Sequence, residues 1–158
     1  MTLHTIPPVW DENSKVLILG SFPSVKSREE GFFYGHKQNR FWKVVANVCN
    51  CPEPQNIDEK KAMLLANGIA VWDVIHCCDI VGSSDSSIKN VVPNNIADIV
   101  QKSHIERIFT NGKKADELYK KYIEQTVGIS AECLPSTSPA NAVWTLEKLC
   151  EEWKKRLL

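Results

Sequence analysis

Val16-Leu17-Ile18-Leu19-Gly20-Ser21-Phe22-Pro23-Ser24 reads as a buried strand that runs straight into a loop. The apolar run Val16 to Leu19 has no polar member, which fits a strand covered on both faces and so a parallel sheet; a sheet with one wet face alternates polar and apolar residues. Three further runs share the pattern: Ile69 to Ile75, Ile105 to Thr110 and Ile129 to Leu134. Helical stretches separate them. Phe41, Val44, Val45 and Val48 recur at helical spacing, Asp58 to Ala66 follows with Gly68 placed as a C-terminal cap, and Asn95 to Gln101 and Lys113 to Glu124 supply two more. A last helix is predicted from near Pro139 to the end, with Val143, Leu146, Cys150, Trp153 and Leu157 on one stripe. Alternating β and α segments with connections of this length predict right-handed crossovers. The fold class is therefore α/β, a three-layer α/β/α sandwich with a central, mainly parallel sheet of about four strands.

With 158 residues, 43% hydrophobic and 24% charged, the chain is expected to form a single domain over 1–158. No apolar run approaches the ~20 residues of a membrane span. The start, Met1 to Trp10, lacks the charged stub and apolar core of an export signal. A cytoplasmic protein is expected, and nothing in the polar last helix suggests more than a monomer. The 19 basic and 19 acidic residues cancel, which argues against coating nucleic acid by bulk charge. Between Lys15 and Lys43, however, Lys15, Lys26, Arg28, Lys37, Arg40 and Lys43 face only Glu29 and Glu30, which leaves room for a positive face. Cys49, Cys51, Cys77, Cys78, Cys133 and Cys150 have neither paired CxxC spacing nor matching histidines. They are expected to be reduced and mostly buried, with no metal and no cofactor.

Ligands of parallel sheets sit beyond the carboxyl ends of the strands. The segments that follow strands are Gly20 to Ser24, Trp72-Asp73 onward, Asn111-Gly112 and Pro135 to Pro139. None contains a GxGxxG, a Walker lysine or a G-x-S-x-G elbow, so dinucleotide, triphosphate and acyl-transfer chemistry have little support.

Taken jointly, Gly20-Ser21-Phe22-Pro23-Ser24, Gly31-Phe32-Phe33-Tyr34-Gly35-His36-Lys37-Gln38-Asn39-Arg40-Phe41-Trp42 and Leu134-Pro135-Ser136-Thr137-Ser138-Pro139-Ala140-Asn141 resemble the uracil-DNA glycosylase superfamily. The nearest likeness is to its hypoxanthine-DNA (deoxyinosine) glycosylases, with the mismatch-specific uracil glycosylases next. Gly68 to Val74 and Gly82 to Ile88 support the match. The resemblance implies an enzyme that flips a deaminated base out of DNA and hydrolyses its N-glycosidic bond without a lysine Schiff base. Uracil or mismatch activity, and a non-catalytic nucleotide- or DNA-binding module on the same fold, are the alternatives. Cleavage passes through an oxocarbenium-like sugar, so such a site must hold a water near C1′ and stabilise the departing base.

Asn39 matches the family's catalytic asparagine, although an Asn before Arg40-Phe41-Trp42 is also what a helix N-cap looks like. The two roles compete for one side-chain oxygen. Other members of the superfamily carry an Asp or Asn in the loop after the first strand, where this chain has Ser21-Phe22-Pro23; the catalytic role there is vacant. The resemblance places Tyr34 against the flipped base, where stacking is worth roughly 1–3 kcal/mol. His36 is read either as a contact to phosphate or base or as a structural residue. Asn111 is read as a carboxamide that recognises the base or as part of an Asn-Gly turn, and Asp73 as a base reader or as a support for the loop Ser84 to Ser87. Backbone N–H groups near Ser21 and Phe22 complete the expected pocket. For DNA contact the expected residues are Pro135, Ser136, Thr137, Ser138 and Pro139, with Lys37 and Arg40 and, more weakly, Lys26 and Arg28. Ser138 and Pro139 also suit the cap and first turn of a helix.

Overall fold

Residues 1–158 are described by a computed structural model in which the four apolar runs pair as strands. In chain order the elements are β1 (Thr2–Leu3), β2 (Val16–Gly20), α1 (Val25–Glu30), α2 (Phe41–Val48), α3 (Ile57–Ala66), β3 (Ile69–Asp73), β4 (Ile75–Asp79), β5 (Lys89–Pro93), α4 (Ile96–Gln101), β6 (Arg107–Asn111), α5 (Lys113–Tyr122), α6 (Glu124–Val127), β7 (Ala131–Leu134) and α7 (Leu146–Leu157). A four-stranded sheet runs β3-β2-β6-β7, parallel throughout. Ile18, Val71, Phe109 and Leu134 enter a core with Phe41 and Val45 of α2, Leu64 of α3 and Leu149 and Trp153 of α7. Leu17, Leu19, Ala70 and Ile108 enter a second core on the opposite face with Ile96 and Ile99 of α4 and Leu118 and Tyr119 of α5. Successive residues of one strand thus serve two cores, which is why the run at Val16 has no polar member.

The register brings the carboxyl ends level. Gly20 pairs with Asp73, Leu19 with Thr110, and Asn111 with Leu134. Every loop that follows a strand of this sheet therefore opens on the same edge.

Several boundaries differ from the sequence reading. The run Ile69 to Ile75 is not one strand: the chain breaks at Val74, whose N–H donates to Gly20 O at 2.9 Å, and Ile75 opens β4 in a separate antiparallel sheet, β1-β4-β5. The buried Asn94 amide joins the two sheets by donating to the carbonyls of Asp73 and Ile75, at 2.9 and 3.1 Å. The sequence hides this sheet because β4 and β5 carry His76, Asp79, Lys89 and Asn90 and lack the apolar run. β6 and β7 start two residues later than expected, at Arg107 and Ala131. The last helix starts at Leu146, capped by Thr145 accepting from Lys148 N–H, and not near Pro139; Val143 is 84% exposed and off the stripe. Ser138 accordingly caps only a turn, accepting from Ala140 N–H at 3.2 Å. Gly68 takes the cap position after α3 with φ +68°.

All six cysteines are free thiols, but only Cys78 is buried and the other five are half-buried, which corrects the expected burial. No group of three or more His, Cys, Asp or Glu side chains converges to hold a metal ion, and no helix is long and apolar enough to cross a membrane.

Candidate active site

The carboxyl edge of the parallel sheet opens into a cleft of about 390 Å³. Ser21, Phe22 and Pro23 line it from the loop after β2, Tyr34, His36 and Asn39 from the segment before α2, and Asp73 and Asn111 from the ends of β3 and β6. Ser136, Thr137, Ser138 and Pro139 close one side from the loop after β7. These sequence-derived residues thus share one cavity. Pro135, Lys37 and Arg40 do not line it.

Asn39 is held by its oxygen. Phe41 N–H and Thr137 Oγ1–H each donate to Asn39 Oδ1 at 2.9 Å. A backbone N–H faces only an acceptor, so the amide orientation is fixed, both lone pairs are engaged, and Nδ2 has no protein partner. Thr137, wholly shielded from solvent, also accepts from Asn111 Nδ2 while its own N–H donates to Asn111 Oδ1, both at 3.0 Å. Asn111, Thr137 and Asn39 form one chain of hydrogen bonds across the cleft.

Arg40 holds the loop after β7 and is not presented to a ligand. Its Nε donates to Thr137 O, its Nη2 to Ser138 O and Asn141 O, and its Nη1 to Trp144 O. Its backbone N–H adds a second bond to Thr137 O. Trp153 Nε1–H fixes the loop's other end on Pro135 O at 2.9 Å. Lys26 pairs with Glu30 across one helical turn at 3.6 Å, and Arg28 Nη2 donates to Gly82 O at 2.6 Å. Lys37 is exposed and makes no ion pair.

Asp73 lies at the floor, 3% exposed. His4 Nε2 is 2.8 Å from Asp73 Oδ2, and Ile6 N–H donates to His4 Nδ1, so His4 is the donor to the carboxylate. Asp73 does not support the loop at Ser84 to Ser87; Ser21 does, through its bond to Asp85. Tyr34 takes the left-handed backbone conformation, φ +52°, and stacks on Phe41 with ring centroids 3.9 Å apart. Burial, reinforced by the negative Asp73 and opposed by the nearby Asn111 amide, pushes its phenol far above the ordinary value, and no hydrogen bond of good geometry satisfies the hydroxyl. Gly20 is a steric necessity here: a Cβ would stand 2.4 Å from Asp73 Oδ1 and 3.0 Å from the Tyr34 hydroxyl.

Two residues of the site escaped the sequence reading. Asp85 lines the cleft from the loop after β4, and Ser21 Oγ–H donates to its Oδ1 at 3.0 Å. It is the only acidic residue of the Gly82 to Ile88 segment, which was the available signal. His4 had none, because it reaches Asp73 from 69 positions away.

This fold, with a polar cleft at the carboxyl edge of the sheet and carboxamides across it, is that of a DNA glycosylase, an enzyme that hydrolyses the bond between base and sugar. The model of the uracil DNA glycosylase superfamily matches residues 7–158, and the chain belongs to that superfamily. A protein named hypoxanthine DNA glycosylase in Methanosarcina acetivorans is 35% identical over 143 residues, covering 89% of each chain. One of the same name in Methanosarcina barkeri is 32% identical over 144 residues, again covering 89% of each. A solution NMR structure from Methanosarcina acetivorans, provisionally described as a uracil DNA glycosylase, superposes with a TM-score of 0.82 at 31% identity, covering 96% of this chain and 93% of that one.

Proposed function

We propose that this glycosylase removes hypoxanthine from DNA, flipping deoxyinosine into the cleft and adding water at C1′ to leave an abasic site. The observation that carries the reading is the fixed amide of Asn39: its oxygen is spent on Phe41 and Thr137, and its Nδ2–H2 is left to hold a water or the departing base. Asn39 stands one residue before Arg40, the N-cap of α2, and its oxygen accepts from Phe41 N–H, so in this reading the tether to the helix and the hold on water use opposite ends of one amide. The open face of Tyr34, backed by Phe41, is the platform for the flipped base.

Base identity follows from what the cleft leaves unpaired. Asn111 spends one N–H and one lone pair on Thr137, which leaves an N–H to donate to O6. Asp73 spends Oδ2 on His4, which leaves Oδ1 to accept from N1–H. Adenine presents the reverse pattern, a donor at C6 and an acceptor at N1, so adenine is rejected; guanine shares O6 and N1–H with hypoxanthine and differs from it only by the amino group at C2. The names of the two relatives support hypoxanthine as the deaminated base in question.

The test uses end-labelled oligonucleotides bearing one hypoxanthine, uracil, xanthine or adenine, treated with alkali after incubation, with Asn39→Ala beside the wild type. Alkali-dependent cleavage at hypoxanthine, lost in the variant, is expected. Cleavage at uracil alone would replace hypoxanthine by uracil as the substrate, and cleavage at adenine would overturn the assignment of Asn111 and Asp73.

A further inference from the structure

Hydrolysis needs an acceptor for the proton of the attacking water, and the cleft supplies few: the Nδ1 of His36, its one lining histidine, already accepts from Gln38 N–H at 3.1 Å, so the neutral ring carries its proton on Nε2. Asn39 Oδ1 already receives two donors and its Nδ2 accepts nothing. Asp73 is at the floor, tied to His4, where the edge of a base and not its sugar would lie. The loop after β2 offers Ser21, Phe22 and Pro23 to the same cleft, none of them a base at neutral pH. Into this loop, however, reaches a carboxylate from elsewhere in the chain. Asp85 Oδ1 accepts from Ser21 Oγ–H at 3.0 Å, and its second oxygen has no protein partner.

The placement is built. Arg28 Nη2 donates to Gly82 O, Val25 N–H donates to Ser83 Oγ, and Val81 N–H donates to Ser87 Oγ, so the segment that carries Asp85 is tied to the start of α1 and closed on itself. Asp85 lines the cleft from an exposed segment, with its carboxylate partly shielded by the protein around it.

We infer that Asp85 is a catalytic residue of the hydrolysis, the carboxylate that takes the proton of the water attacking C1′ and so supplies from the loop after β4 what the loop after β2 lacks. The inference rests on the glycosylase reading of the cleft and deepens it. The N9–C1′ bond breaks with its electron pair leaving on the base, and the water oxygen forms the new bond to C1′. The water proton passes to Asp85 and then to solvent, and the base takes a proton from solvent. Through the same step the carboxylate faces the positive charge that develops on the sugar, which it stabilises. Asn39 Nδ2 and Asp85 divide the work, one donating to the water and the other accepting from it.

The charged groups that act on Asp85 are Lys114 of α5 and Asp73 of β3. Desolvation by the surrounding protein raises its carboxyl above the ordinary range, against the Ser21 hydrogen bond and Lys114, and Asp73 adds to the rise. A base of this kind must be ionised to act. The rate is therefore expected to fall toward acid, with a limb above the ordinary carboxylate range.

The experiment measures single-turnover rates of wild type, Asp85→Asn, Asp85→Glu and Asn39→Ala across pH, on whichever deaminated-base strand the wild type cleaves fastest, so that a wrong choice of base does not touch it. Binding of the same strand with a 2′-fluoro, uncleavable sugar is measured in parallel. Asp85→Asn keeps an acceptor for Ser21 and is expected to unfold at the wild-type midpoint and bind the uncleavable strand normally. Its rate is expected to fall roughly 10²-fold or more, with the acid limb gone. Asp85→Glu is expected to restore part of the rate and the limb, and Asn39→Ala to lose rate while keeping the limb. A wild-type rate in Asp85→Asn, or an acid limb that survives in it, would overturn the inference.

Discussion

One oxygen on Asn39 receives the first free N–H of α2 and the hydroxyl of Thr137, and this double use turns a helix-terminal residue into a rigid tool. Thr137→Val removes the hydroxyl while keeping the shape. Asn39 then keeps one tether and Asn111 Nδ2 loses its acceptor, so the single-turnover rate is expected to fall by about tenfold, the kinetic equivalent of one hydrogen bond of roughly 1.4 kcal/mol. A rate equal to wild type would show that Phe41 N–H alone orients the amide. Tyr34 allows a sharper separation. Its hydroxyl is buried without a hydrogen bond of good geometry and its ring lies against Phe41. Tyr34→Phe is expected to keep activity and to leave stability unchanged or raised by about 1 kcal/mol in urea unfolding. Tyr34→Ala is expected to lose roughly tenfold to hundredfold in rate, matching ~1–3 kcal/mol of stacking. Equal losses in both variants would assign the role to the hydroxyl. At this scale the sequence showed Asn39, Tyr34, Asn111 and the Ser136 to Pro139 loop, because each lies next to a strand end or in a recognisable segment. It did not show His4 or Asp85, whose partners Asp73 and Ser21 are brought to them only by the fold.

Arg40 shows how an element boundary is set from a distance. The stripe Val143, Leu146, Cys150, Trp153 predicts a helix from Pro139, but the carbonyls of Ser138, Asn141 and Trp144 point to a guanidinium about a hundred positions earlier in the chain. A carbonyl held by Arg40 in an irregular loop is not available to a regular helical ladder, so α7 waits until Thr145. Local periodicity carries no trace of such a contact. The same blindness hid β4 and β5, whose register is set by β1 and by Asn94. The central sheet was legible because burial on both faces writes itself into consecutive residues. Arg40→Met is expected to release the loop: amide exchange across residues 138–144 should quicken, and kcat/KM should fall. Arg40→Lys should not rescue either, since one ammonium cannot span four carbonyls in the plane of a guanidinium. Unaltered exchange in Arg40→Met would place the loop's order in its other ties, the Trp153 bond to Pro135 O and the bonds of Thr137 to Asn39 and Asn111.

Across the whole molecule, a net charge of zero hides how few of its cations are free near the cleft. Arg28 and Arg40 spend their guanidinium groups on carbonyls, and Lys26 pairs with Glu30. Of the residues read as phosphate contacts, Arg28 and Arg40 are thus engaged by carbonyls and the exposed Lys26 by an ion pair, while Lys37 is exposed and makes no ion pair. A cleft lined by hydroxyls and backbone N–H groups, with one or two free lysines beside it, is expected to release few counterions on binding DNA. The slope of log Kobs against log[salt] scales at about −0.9 per neutralised phosphate on duplex DNA, so a slope near −2 is expected for duplex containing an uncleavable deoxyinosine. Lys37→Ala should flatten it by about one and leave the single-turnover rate at saturating enzyme unchanged. Fluorescence anisotropy across a salt series reads both. A slope steeper than about −5 would mean that the surface ion pairs open on DNA and that Lys26 and its neighbours reach phosphate after all. A shallow slope would fit the acidic groups of the cleft: Asp73 at its floor and Asp85 in its lining repel phosphate, so affinity for the duplex has to come from contacts other than bulk charge.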